Sequence, residues 1–182
     1  MNDDDFPIPE WDEDSDVDVP GPIHPINWWL LTAEELQTEF YELNRFVDEL
    51  RHERGLPVSV IPPFWHRHWE LVRELSALHL HYLVCHDGEQ SGSAPMGWER
   101  DFEDSCRRLR DKVAACGTRG DSDRPTRQSI WPGEDEPPNQ IPVVLDNRAK
   151  DFVAYVSSLV TERKQREEAF YASLDLRTGE LA

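Results

Sequence analysis

The chain is poor in everything that usually announces chemistry. It holds three cysteines, Cys85, Cys106 and Cys116, and no CxxC pair. An odd, scattered set of thiols excludes a disulfide framework and a zinc-type cysteine site; it suits free thiols in a reducing cytoplasm. No apolar run approaches the roughly 18 residues that a membrane span requires. The acidic N-terminus lacks a basic stretch followed by an apolar one, so it does not read as a signal peptide. No glycine-rich phosphate loop, HExxH or GxSxG motif occurs. The expectation is a cytoplasmic protein that is not an enzyme and carries no cofactor and no metal.

Positive charge is also scarce. Lys and Arg number 19 against 37 Asp and Glu, a formal net charge of −18. Nine of the acids fall within residues 1–23, which contain no Lys or Arg, and the remainder still carries −9. A field of this sign repels nucleic-acid phosphates and anionic membranes, and it favours basic protein partners. Direct nucleic-acid binding and membrane association are therefore not expected.

What is present is helical punctuation. Residues 1–25 combine like charge with five prolines and read as a disordered acidic tail. Thr32-Ala-Glu-Glu35 reads as a capping box, with Leu31 and Leu36 placed as a hydrophobic staple. Leu36, Phe40, Leu43, Val47 and Leu50 then form one stripe, which ends at Arg54-Gly55. A second helix is expected from Pro62-Pro63 to about Asp87-Gly88. Its apolar face holds Trp65, His68, Trp69, Val72, Leu75, Leu78, His79, Tyr82 and Leu83, with His66, Glu70, Glu74 and His81 opposite. A third carries Trp98, Phe102, Leu109, Val113 and Cys116 on one face. Residues 118–145 read as a Pro/Gly/charged linker, and 146–176 as a final helix capped by Asp146. The fold expected is all-α: an antiparallel three-helix core over 26–117 with a further C-terminal helix.

The histidines of the second segment look like ligands and are weighed against a blander role. His68 and His79 are eleven residues apart, about 16 Å along a helix axis, too far to share one ion. Interior histidines hydrogen-bonded to a carboxylate or carbonyl of another helix account for both. His66 and Glu70 form an i,i+4 pair, which supplies two exposed ligands and reads as a solvated pair. His81 and Cys85 are also i,i+4 and are the nearest approach to a nucleophile and base. A metal-dependent enzyme using His66, Glu70, His81 or Cys85 is the minor alternative.

Among the aromatics, Trp65, Trp69 and Trp98 sit at core spacings. Trp28-Trp29 is placed to close the end of the bundle. Trp131 in the linker, Trp11 in the tail and Phe170 in the last helix are the candidate partner anchors, since aromatics of limited freedom make binding hot spots. In the last helix Phe152, Val156, Leu159, Phe170 and Leu174 share a face, while Thr161–Glu168 is almost wholly polar. Its first half is expected to dock and its second half to project or meet a partner. Pairing of two copies through Phe152, Val156 and Leu159 is compatible with this pattern.

Trp65-x-x-His68-x-Glu70, then Leu75-x-Ala77-Leu78 with Tyr82, then Trp98-x-x-Asp101, resembles a family of small actinobacterial proteins of unknown function. Members of that family are carried on plasmids, prophages and integrated conjugative elements. The similarity spans residues 65–101; Trp69 stands where the family shows proline, and His79 where it shows an aromatic. The resemblance implies genomic context and no activity. The function expected is a non-enzymatic adaptor of a mobile element that binds a protein, such as a basic DNA-processing or DNA-transfer component. The alternative is an acidic decoy that mimics DNA and blocks a basic surface.

Overall fold

A computed structural model describes residues 23–120, 122–124, 129–135, 143–144 and 146–173. Trp11, Leu174 and the last positions of the expected final helix lie outside these residues, as does most of the expected tail. The class is all-α: α1 (Ala33–Arg54), α2 (Trp69–Cys85), α3 (Ala94–Cys116) and α4 (Arg148–Ser173). A 3-10 turn, Trp65–Arg67, precedes α2, and two short strands, β1 (Ser122–Asp123) and β2 (Val143–Val144), precede α4.

α1 forms for local reasons. The Thr32 hydroxyl accepts from the Glu35 amide, and the Glu35 carboxylate accepts from the Thr32 amide at 2.8 Å. Two amides that the helix leaves without partners are thus satisfied. Gly55 closes the helix at φ 59°, a left-handed conformation that any Cβ would strain. Leu36, Phe40, Leu43, Val47 and Leu50 are all buried. α3 ends the same way, with Gly117 at φ 70°, and buries Trp98, Phe102, Leu109 and Val113.

α2 begins later than the sequence pattern implies. The chain does not enter a helix at Pro62-Pro63; it makes the 3-10 turn, becomes extended at His68 (φ −117°, ψ 103°), and turns helical only at Trp69. Trp65 and His66 therefore do not belong to the α2 face system. Within α2, Val72, Leu75 and Leu78 are buried, Trp69, His79 and Tyr82 are half-buried, and Leu83 stays exposed.

Contacts along the helices set their directions. Leu78 with Trp98, and Glu74 with Ser105 and Lys112, make α2 and α3 antiparallel. Arg148 with Asp48, Tyr41 with Phe152, and Ala33 with Glu167 do the same for α1 and α4. α1 and α2 run in the same sense instead: Phe40 meets Trp69, and Phe46 meets His79 and Tyr82. The 14 residues between them form a crossover that buries Val60, Ile61, Phe64 and Trp65, so it is part of the core.

α4 packs on α1 through Phe152, Val156 and Val160, each under a tenth exposed. Of the face expected to pair two copies, Phe152 and Val156 are buried within the chain and Leu159 is partly buried against the same core. Asn147, not Asp146, caps this helix, its side-chain oxygen accepting from the Lys150 amide at 3.0 Å. Inside the stretch read as a linker, Ser122 and Asp123 pair antiparallel with Val144 and Val143. That pairing fixes Asp123 beside the start of α2.

Candidate functional site

Three constellations bring functional groups together, and only one of them opens to solvent on an apolar floor. The first is buried. His66 is 1% exposed, and its Nε2 lies 2.9 Å from Asp151 Oδ2 on α4. Arg67 Nε donates to the same oxygen at 2.9 Å while its terminal nitrogen holds Oδ1. Burial draws the imidazole of His66 down to about 4, against the pull of Asp151. Its neutral ring therefore donates through Nε2. Burial works to raise the Asp151 carboxyl, and the hydrogen bonds from Arg67 and His66 overcome that and hold it below its ordinary value. His66 thus stands at the opposite extreme from the solvated surface pair proposed with Glu70, which is exposed.

One residue further on, the chain turns the other way. His68 Nε2 lies 2.7 Å from Asp123 Oδ1, with both side chains almost fully buried. Burial alone would lower the imidazole; the hydrogen bonds with Asp123 and Cys116 reverse this and raise it to about 9. The carboxylate expected as a partner for an interior His68 is present, but it comes from β1 and not from a helix. His79 has a different neighbour: its ring stacks on Phe46 at 4.5 Å. Burial lowers its basicity.

Cys116 touches His68 and has its thiol lowered: burial opposes the change, while His68 and the Thr118 amide drive it. The thiol nevertheless donates to the Val113 carbonyl at 3.4 Å. It also sits on the last residue of α3, where the negative end of the helix disfavours a thiolate. Cys116 is thus under opposing influences: His68 favours the thiolate, while the Val113 carbonyl and the helix end favour the thiol.

The second constellation is the His81–Cys85 pair. Cys85 Sγ lies 3.6 Å from Nδ1 and 3.8 Å from Nε2 of His81, whose Nε2 is 3.0 Å from Asp101 Oδ2. Near-equal distances to both nitrogens put the sulfur over the ring, not along a nitrogen lone pair. A general base needs that lone pair aimed at the proton it removes. The residues are those of a nucleophile–base–carboxylate set, with the sulfur lying off the nitrogen lone pairs. Glu74, next to this face, is occupied by Ser105, Arg108 and Lys112. Among the described residues, no three His, Cys, Asp or Glu side chains are grouped to hold a metal.

The third constellation is a cleft of about 510 Å³ between the segment before α1, α2 and the last turns of α4. Trp28, Trp29, Trp69, Phe170 and Tyr171 supply its aromatic walls. Trp28 is the fixed part: it is buried against Phe40 and Trp69, and its indole donates to Ser76 Oγ at 3.2 Å. Trp29, Phe170 and Tyr171 are the open part, 73%, 53% and 67% exposed.

Arg73, Arg163 and Arg166 give the cleft its charge. Arg73 lies over the Trp29 ring, 5.4 Å from its centroid. Arg163 donates to the carbonyls of Trp28, Trp29 and Leu31, which straps α4 to the segment before α1. Glu167 accepts from the Ala33 amide at 2.8 Å, adding a carboxylate to the positive end of α1. The polar stretch of α4 thus docks through hydrogen bonds to main chain and does not project. Among the described residues no ion pair involves Arg73 or Arg163, and Arg166 is 3.8 Å from Glu162.

Of the three partner anchors chosen from sequence, Phe170 lies in this cleft. Trp131 is 72% exposed and apart from it, its amide held by Glu134 at 2.8 Å. Trp11 is outside the described residues. Trp29 and the arginines were missed, because nothing local distinguishes Arg73 or Arg163 from other surface arginines. No helix of the described residues is long and apolar enough to cross a membrane. Compared with protein-family models, curated proteins and solved structures, the chain matches none.

Proposed function

We propose that this chain is a non-enzymatic adaptor that holds a partner's acidic, aromatic-bearing segment in the cleft between Trp29 and Phe170. The observation that carries the reading is a coincidence of chemistry. A chain of net charge −18 collects three arginines and three exposed aromatics in one concavity. Exposed apolar patches of this kind mark interaction sites, and aromatic and arginine side chains dominate binding energy at protein interfaces. The volume is within the range of about 300–1,000 Å³ typical of ligand sites, enough for one or two aromatic side chains.

The rest of the acidic surface suits a second, basic partner, as an adaptor requires. An enzymatic alternative is weakened by the orientation of Cys85 over His81 and by the hydrogen bond from Cys116 to Val113. A mobile genetic element of an actinobacterium is the setting proposed, on the strength of the resemblance over residues 65–101.

The test is a fluorescence-anisotropy titration of the full chain with a short labelled peptide of glutamate interspersed with tryptophan. Saturable binding is expected, weakened about tenfold by the R73E/R166E double variant, a loss of about 1.4 kcal/mol. Binding also weakens with salt, because the pairs are solvent-exposed. Equal binding of a lysine–tryptophan peptide, or an unchanged affinity in the double variant, overturns the proposal.

A further inference from the structure

The cleft has a candidate occupant within its own chain. We propose that residues 1–22 compete with the partner for the cleft, seating Trp11 or Phe6 between Trp29 and Phe170 and so setting the threshold for partner binding. This inference rests on the reading of the cleft as a docking site.

Three observations converge on it. The first is chemical complementarity. Residues 1–22 hold nine acids, no Lys or Arg, and the aromatics Phe6 and Trp11. That is the composition the cleft selects: carboxylates for Arg73 and Arg166, and a ring for the gap between exposed aromatics. The match is unusual in a molecule whose surface otherwise repels such a segment.

The second is placement. The described chain begins at Ile23, and Pro25 through Trp29, together with Arg73, line a shallow pocket contiguous with the cleft through Trp28 and Trp29. The segment therefore leaves the folded body at the rim of the site. The third is reach. Trp11 lies twelve positions before Ile23, and an extended chain spans up to about 3.3–3.6 Å per residue, or roughly 40 Å. The linkage is long enough to fold back and short enough to raise the effective concentration of the segment at the cleft.

A tethered competitor of this sort raises the apparent dissociation constant of an outside ligand by the factor with which it occupies the site. Trp28, buried against Phe40, Trp69 and Ser76, anchors the rim so that the entry point does not move.

The experiment uses the full chain and the same glutamate–tryptophan peptide. The F6A/W11A variant removes the internal anchors without changing charge, so long-range repulsion of the acidic probe is identical in the two proteins. Tighter probe binding, by about fivefold or more, is expected in F6A/W11A. A second variant with Asp12, Asp14 and Asp16 changed to Asn should tighten binding further. Neither variant touches a residue of the helices, so both fold as the parent does; circular dichroism checks this.

Equal affinity in parent and F6A/W11A sinks the internal competitor and leaves the cleft reading standing. Absence of probe binding in both proteins sinks the two readings together. A difference that appears only at high protein concentration assigns the occupant to a second copy and overturns the intramolecular proposal.

Discussion

The two ends of α4 are attached by opposite means. Its N-terminal half is held by burial: Phe152, Val156 and Val160 pack on α1, and Asp151 is sunk beneath His66 and Arg67. Its C-terminal half is held by hydrogen bonds that Arg163 donates to main-chain carbonyls and Glu167 accepts from the Ala33 amide near the start of α1, while Phe170 and Tyr171 stay in solvent. The first attachment buries its large apolar groups apart from Val153, which is 47% exposed. The second fastens the helix with polar groups and leaves the aromatics uncommitted. A helix held this way can be firm in position and still offer an apolar surface, which is what a docking site needs.

Breaking the buried end should have the largest effect. Asp151→Ala leaves Arg67 and the His66 ring facing an uncompensated interior; removing one partner of a buried pair costs about 3–5 kcal/mol. Urea denaturation followed by circular dichroism measures this. A loss below about 1 kcal/mol would show that the Asp151 cluster is solvated and the contrast false.

The pH dependence comes next. His66 is held at about 4, below its unfolded value near 6.5, so the unfolded state binds the extra proton and stability falls as pH drops from 6.5 towards 4. His68 is held at about 9, above its unfolded value, so its contribution is complete below 6.5 and is lost as pH rises through 9. Among these two groups the optimum falls between pH 6 and 7. H68Q should flatten the alkaline limb of a stability–pH profile and leave the acid limb, and H66Q the reverse.

Arg163→Ala comes third. It deletes bonds from a charged donor to three carbonyls, partly exposed, and should cost about 1–2 kcal/mol. Hydrogen exchange should quicken in the last turns of α4 and not in the first. Uniform quickening along the helix would erase the distinction between its ends. Phe170→Ser is the smallest in stability, within about 0.5 kcal/mol as for exposed positions, and should still weaken the glutamate–tryptophan peptide about tenfold. A stability loss larger than that of Arg163→Ala would mean that Phe170 is a packing residue.

Legibility followed the range of the interactions. α1 was readable residue by residue because its signals are local: Thr32 and Glu35 are three apart, the stripe repeats every three or four, and Gly55 adjoins the last turn. The start of α2 was misread because the decision is not local. Residues 62–68 carry a helix-compatible pattern, but His66 and Arg67 are drawn to Asp151, 85 and 84 residues on, and His68 to Asp123, 55 residues on. Adjacent side chains pulled to different elements cannot share a helical face, so the chain makes a 3-10 turn and an extended step. The one available clue was that histidines this close to a hydrophobic run need hydrogen-bond partners when buried. The cleft was half legible. Phe170 is readable as an aromatic anchor on the last helix, whereas Arg73 and Trp29 acquire their role only by meeting each other.

By itself the sequence determined the all-α class, the limits of α1, the glycine stops after α1 and α3, the core positions Val72, Leu75 and Leu78 of α2 and Trp98, Phe102, Leu109 and Val113 of α3, and the acidic character of the molecule. Each of these depends on periodicity, capping or charge within a few residues, where spacing dictates geometry. The tertiary structure decided that α1 and α2 run in the same sense, that Asp123 and Asp151 are buried partners and not surface acids, and that α4 ends over an aromatic floor. Those outcomes depend on which distant groups satisfy one another once water is expelled, and a buried charge selects its partner by proximity in space, whatever the distance along the chain.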